Sequence, residues 1–157
     1  MTEQVSVTRE IGAPAERVWA MVSDVTRMGE WSPENEGATW LGGATGPQPG
    51  AKFRGTNRIG KRKWKTVATV VDADPGRRFS FRVATMGLKV AEWSYAFDPT
   101  ATGCRVTETW IEQRASLFKP LARLVTGVAD RASHNRAGME QTLERLAAVA
   151  ESSSAPT

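Results

Sequence analysis

One cysteine, one histidine and one tyrosine stand among 157 residues. A lone Cys104 cannot close an internal disulfide. With His134 as the single imidazole, the usual nitrogen and sulfur sites for zinc or haem cannot be built, so no metal and no cofactor is expected. Nor is there a run of about 18 apolar residues, which leaves no candidate for a membrane-spanning helix. The N-terminal MTEQVSVTRE lacks the basic-then-apolar order of a signal peptide, and the chain is expected in the cytoplasm. At this length one domain is expected, over residues 1–150, large enough to bury well over half of its unfolded surface. The last seven residues, ESSSAPT, read as a disordered tail, 151–157.

Lysine is sparse beside arginine, and much of the net charge of +4 is local. Arg58, Lys61, Arg62, Lys63 and Lys65 crowd an apparent hairpin around Gly60. The plain reading is a solvated tip, since charged tips keep strands from pairing with other chains. Nucleic acid or an anionic membrane surface is the sharper one. Trp64, the residue that would stack on a base, alternates with Thr66 and Ala68 onto what reads as the inner face, so nucleic acid ranks low as a partner.

Tryptophan is what the chain has in excess, six against the single tyrosine. The most informative stretch is Leu88 to Gln113. There AEWSYAFDP places Trp93, Tyr95 and Phe97 on one face of a strand, and CRVTETWIE places Val106, Glu108 and Trp110 on one face of the next. Glu108 is the odd member. A carboxylate on an apolar face must be paired, protonated or in contact with trapped water or ligand, because an unpaired buried charge is costly.

The same alternation extends along the chain. QVSVTREI reads as a strand ending at Gly12, Pro14 suits the first turn of a helix, and Val18, Val22 and Val25 with Trp19 give that helix an apolar stripe. RMGEWSP closes it around Trp31. A short strand over Gly37–Leu41 leads into GGATGPQPG, a loop whose glycines and prolines exclude regular structure and which is a candidate gate, Gly42 to Gly50. From Ala51 a meander follows: AKFRGTNRI, RKWKTVATVVDAD, RRFSFRVAT, LKVAEWSYAFD and CRVTETWIEQ, joined by turns at Gly60, Pro75–Gly76, Gly87 and Pro99–Gly103. Phe53, Asn57, Trp64, Ala68, Phe81 and Val83 fall on the inner faces. After Ser116 the period changes to that of a helix opened by Pro120. Leu121, Leu124, Val125, Val128, Ala132, Asn135, Met139, Leu143, Leu146 and Ala150 form one stripe over about eight turns, with His134 on the far side. No second amphipathic seam stands out, and a monomer is expected.

A strand, a short helix, six antiparallel strands and a long C-terminal helix make an α+β layout, in which the sheet buries its aromatic face against that helix. A strongly twisted sheet of about seven strands curls. One helix about 10 Å wide leaves part of the concavity unfilled, as a cavity lined by aromatics.

The segments IGAPAERVWAMVSDVTRMGEWSPE, GAKFRGTNRIGKRKW and VAEWSYAFDPTATGCRVTETW resemble the actinobacterial polyketide cyclase/dehydrase-like branch of the START and Bet v 1-like (SRPBCC) superfamily. The resemblance spans about Val5 to Ala150. It implies the helix-grip fold, a curved seven-stranded antiparallel sheet around the C-terminal helix, with an internal cavity for lipids, sterols, polyketides or other bulky apolar molecules. The superfamily includes carriers, aromatase/cyclases, hydrolases and chaperone activators, so the fold leaves enzyme and binder both open.

The walls of such a cavity are expected to be Trp31, Phe53, Trp64, Phe81, Trp93, Tyr95 and Trp110, with Met139 and Leu143 from the helix. Asn57, Glu108 and Asn135 are the polar groups on the same surface. Packed core is the alternative for each aromatic. For Glu108 three roles stand: an ion pair with an arginine, Arg131 and Arg136 being placed to reach inward; orientation of a ligand; and acid/base catalysis, for which it is the best candidate. The leading functional expectation is a binder of a small hydrophobic molecule. The others are a cyclase or dehydratase using Glu108, and a ligand-free interaction or stress-related module using the basic hairpin.

Overall fold

A computed structural model describes residues 3–153 of the protein. Seven antiparallel strands form one sheet in the order β1-β7-β6-β5-β4-β3-β2. They are β1 (Gln4–Ile11), β2 (Asn35–Leu41), β3 (Lys52–Ile59), β4 (Arg62–Asp74), β5 (Arg78–Thr85), β6 (Leu88–Thr100) and β7 (Gly103–Glu112). Every alternating run in the sequence is a strand. Strands β2 to β7 follow one another as a meander, while β1 pairs with β7 along its whole length, from Gln4 opposite Ile111 to Ile11 opposite Cys104.

Register places the aromatic residues on one face. Phe53 lies opposite Ala68, Phe81 opposite Trp93, Trp93 opposite Trp110, and Tyr95 opposite Glu108. Irregular pairing between Asn35 and Gly37, Val70 and Asp72, and Val83 and Ala84 interrupts the ladders. Such bulges increase the local twist and bend the strand, so the sheet curves toward its aromatic face. Helix α1 (Ala15–Ser23) and the 3-10 turn Val25–Glu30 follow β1. Val18, Val22 and Val25 are buried there, and the Trp19 indole Nε1 donates to the Arg78 carbonyl at 2.9 Å. Gly29 passes so close to β2 that a Cβ on it would stand 2.6 Å from the Glu36 carbonyl oxygen.

The C-terminal region departs from the expected single helix. It forms α2 (Lys119–Thr126) and α3 (Arg131–Ser153), separated by a break. Gly127 adopts a left-handed conformation, φ 76°, and its N–H bonds back to the Arg123 carbonyl, the usual way in which glycine ends a helix. Asp130 then starts α3 by accepting from the Ser133 backbone N–H at 3.1 Å. The apolar stripe is cut at this point. Met139, Leu143, Leu146, Ala147 and Ala150 are buried against the sheet, whereas Leu121, Leu124 and Val125 point to solvent. At the other end α3 continues through Ser153, into the stretch expected to be tail; residues 154–157 lie outside those described. No helix among the described residues is long and apolar enough to cross a membrane.

Candidate ligand-binding cavity

Between the concave sheet and the first half of α3 lies a cavity of about 140 Å³, open at one end. Its walls follow from register. Residues two apart on a strand share a face, so β3 supplies Phe53, Gly55 and Asn57, β4 supplies Trp64, Thr66 and Ala68, and β6 with β7 supply Trp93, Tyr95, Glu108 and Trp110. Asn135 and Met139 descend from α3, one helical turn apart, and Trp31 closes the side facing β3. Edge-to-face contacts brace the aromatic floor: Trp40 on Phe53 with ring centroids 5.7 Å apart, and Phe53 on Phe81 at 5.2 Å.

Glu108 is the polar point of this interior. It is fully buried, and burial pushes its carboxyl up to about 8, against the smaller downward pull of a hydrogen bond from Tyr95. The Tyr95 hydroxyl donates to Oε1 at 2.8 Å. The phenol is itself raised well above its ordinary value, first by burial and then by the neighbouring carboxylate. At neutral pH the neutral acid therefore predominates. Oε1 accepts from tyrosine, so the acid proton belongs on Oε2, and among the described residues Oε2 has no hydrogen-bond partner. The site thus offers one buried, unused donor at its floor.

The expected arginine partner of Glu108 is not there. Arg131 turns instead to Glu34, with Nη1 to Oε1 at 2.9 Å, and to the Asn135 side-chain oxygen at 3.3 Å. Arg114 is held by Glu112 at 3.0 Å. Burial, followed by the nearby Arg131 charge, draws the Arg114 guanidinium below its ordinary value, against the pull of Glu112. Both arginines are bound to carboxylates at the rim, which leaves Glu108 alone in the interior. A second polar group runs along the wall. The Asn35 amide donates to Asn57 at 3.3 Å and the Asn57 amide to Thr66 at 3.1 Å, while the buried Asn35 Oδ1 has no partner among the described residues.

Every wall residue expected from the sequence lines the cavity except Leu143. That residue sits one turn beyond Met139, in the main hydrophobic core with Leu146 and Phe79. His134, expected on the far side of its helix, lines the mouth and is half-buried. The sequence reading passes over Glu34, Asn35, Arg114 and Thr142, which also line the space. Asn35 had one available signal, its position opposite Asn57 once β2 is extended backward. Arg114 lies past the last periodic residue and carried none. The Gly42 to Gly50 loop contributes nothing to the lining; it joins the ends of β2 and β3 remote from the mouth. Among the described residues no group of three or more His, Cys, Asp or Glu side chains is placed to hold a metal ion.

A curved seven-stranded antiparallel sheet packed on a long C-terminal helix is the helix-grip architecture. The chain belongs to the family "Polyketide cyclase / dehydrase and lipid transport", whose model matches residues 2–151. A solved polyketide cyclase-like protein of Corynebacterium glutamicum is 30% identical over 96% of this chain and 93% of its own, with a TM-score of 0.66. The di-domain ARO/CYC StfQ of the steffimycin biosynthetic pathway shares the fold at 14% identity and a TM-score of 0.76, over 99% of this chain and 53% of its own. A protein of Thermus thermophilus does so at 20% identity and 0.69, over 98% of this chain and the whole of its own. No curated protein matches the chain.

Proposed function

We propose that the protein binds one small, mainly apolar molecule, with an aromatic or similarly flat end inserted between the tryptophans and an acceptor oxygen directed at Glu108. The observation that carries this reading is the unpartnered Oε2 of Glu108, a donor buried among aromatic rings. Leaving such a group unmatched costs about 1–3 kcal/mol, which a ligand carbonyl, ether or hydroxyl oxygen would recover. Size supports a particular mode of entry. An apolar cavity near 150 Å³ holds one benzene-sized ring, so a larger ligand would place one ring at the floor and the rest in the mouth beside Asn35, Arg131 and His134.

Native mass spectrometry after gentle purification, with extraction of any bound species, tests the proposal. A stoichiometric small molecule carrying an acceptor oxygen is the expected result. A protein that is empty and takes up no lipid, sterol or aromatic probe overturns it.

The same carboxyl favours a second reading, a cyclase or dehydratase in which Glu108 moves a proton between carbon and oxygen. An acid that titrates near neutrality is suited to that task. Unchanged turnover of a candidate polyketide by a stable Glu108→Gln protein would remove the residue from the mechanism.

A further inference from the structure

The end of the molecule where the cavity opens carries a surface that the cavity does not explain. The 3-10 turn Ser116–Phe118 and helix α2 present their apolar side chains outward. Leu117 is 81% exposed, Leu124 71% and Leu121 57%, with Val125 and Phe118 beside them. Of the whole helix only Thr126 is buried. Outward leucines on a two-turn helix are a cost in water unless something covers them.

Cations lie beside this face. Helix α2 contains no acid, and its own Lys119 and Arg123 lie on the side opposite Leu121 and Leu124, where they line a pocket with Glu3, Glu112 and Asp130. The β3–β4 hairpin lies against the helix, its Arg62 Nε donating to the Leu124 carbonyl at 3.4 Å. It adds Lys61, Arg62, Lys63 and Lys65. Arg58 and Lys63 of this hairpin share Glu36, at 3.7 and 4.0 Å. Among the described residues no carboxylate lies within ion-pair distance of Lys61, Arg62 or Lys65. At the same end of the sheet the β5–β6 turn holds Met86, 95% exposed and fixed at φ 52°.

We infer that this end of the protein docks on an anionic lipid bilayer. The apolar side chains come from separate turns, α2 and Met86, and stand out as projections without forming a groove. Such projections suit insertion into a fluid interface, and the unpaired cations suit its negative charge. The docked orientation sets the mouth, rimmed by Glu34, Arg131 and His134, toward the lipid. Vesicle binding does not require the cavity to be filled, so this inference and the ligand proposal stand or fall separately.

The test is co-sedimentation of the full chain with phosphatidylcholine vesicles, with and without a third of phosphatidylglycerol. Binding is expected only to the anionic vesicles, and it should weaken as salt rises. The double substitution L121D/L124D changes only exposed side chains. It should lower vesicle affinity roughly tenfold or more, as should K61E/K65E, since each cation near such a surface accounts for about fivefold. Near-UV circular dichroism that matches the parent shows that each variant is folded. The inference is overturned if the parent protein ignores anionic vesicles or binds neutral ones equally, or if folded variants bind as the parent does. A dimer that L121D/L124D dissociates, without vesicle binding, would assign the face to a second copy of the chain.

Discussion

The Tyr95 hydroxyl, opposite Glu108 on the neighbouring strand, donates to Oε1 at 2.8 Å and leaves Oε2 without a partner among the described residues. That single bond orients the carboxyl and directs its remaining polarity into the cavity. Burial of the same carboxyl, which outweighs the pull of that bond, makes the protein's stability depend on pH in a definite direction.

An unfolded glutamate titrates near 4.3, whereas Glu108 in the fold titrates at about 8. Between those values the folded chain keeps a proton that the unfolded chain has lost. The stabilisation is fully present below the unfolded value and is lost as pH rises through the folded one, in total on the order of 5 kcal/mol. Glu108→Gln retains an acceptor for Tyr95 and a donor for the cavity without the charge. Thermal melts should show parent and variant close together near pH 5 and the variant more stable by about 10 °C or more near pH 9.

Tyr95→Phe removes the hydrogen bond that pulls the Glu108 carboxyl downward. The variant should lose about 1–2 kcal/mol in denaturant melts. Its Glu108 carboxyl, followed by carbon NMR, should titrate higher than in the parent. A lower titration point would contradict the assigned hydrogen bond.

Val83 faces the cavity from β5. Val83→Phe should fill part of that space, abolishing uptake of an aromatic probe while leaving stability within about 1.5 kcal/mol of the parent. Probe titration beside a thermal melt separates the two effects. Retained uptake would mean that the ligand sits elsewhere.

Met139 and Leu143, one helical turn apart, should part company under truncation. Leu143 is wholly core, so Leu143→Ala should cost about 2–5 kcal/mol with probe affinity unchanged. Met139→Ala enlarges the cavity wall and should alter probe affinity. Equal effects of both on binding would return Leu143 to the site.

At Gly29 a Cβ would meet the Glu36 carbonyl carbon at 2.9 Å as well as its oxygen. Gly29→Ala should therefore push the Val25–Glu30 turn off β2, destabilising the protein by about 1–3 kcal/mol. Hydrogen exchange should quicken in that turn and around Trp31 ahead of the β6–β7 pair.

Strand positions and inner faces were legible because alternation has a period of two and the sheet has one wet side: Phe53, Asn57, Trp64 and Phe81 all face inward as their neighbours require. The helical stripe was legible only in part. Leu121 and Leu124 match the period of the residues beyond Gly127, yet one left-handed glycine and the Asp130 cap rotate them out of register with the core. Periodicity reports which residues could share a face, and a break in the backbone decides whether they do. The reading that Glu108 pairs with an arginine failed for a related reason: Arg131 lies within reach of the interior in sequence terms, but Glu34, distant in the chain, takes it at the rim.

The sequence by itself determined the seven strands, the inward aromatic face and the anomaly of an acid among tryptophans, since these follow from local alternation and composition. Tertiary structure decided where that acid finds a partner, where the cavity opens and which leucines stay outside. Those outcomes depend on contacts between segments far apart in the chain, such as Arg131 with Glu34 and Arg62 with Leu124, and no local pattern encodes them.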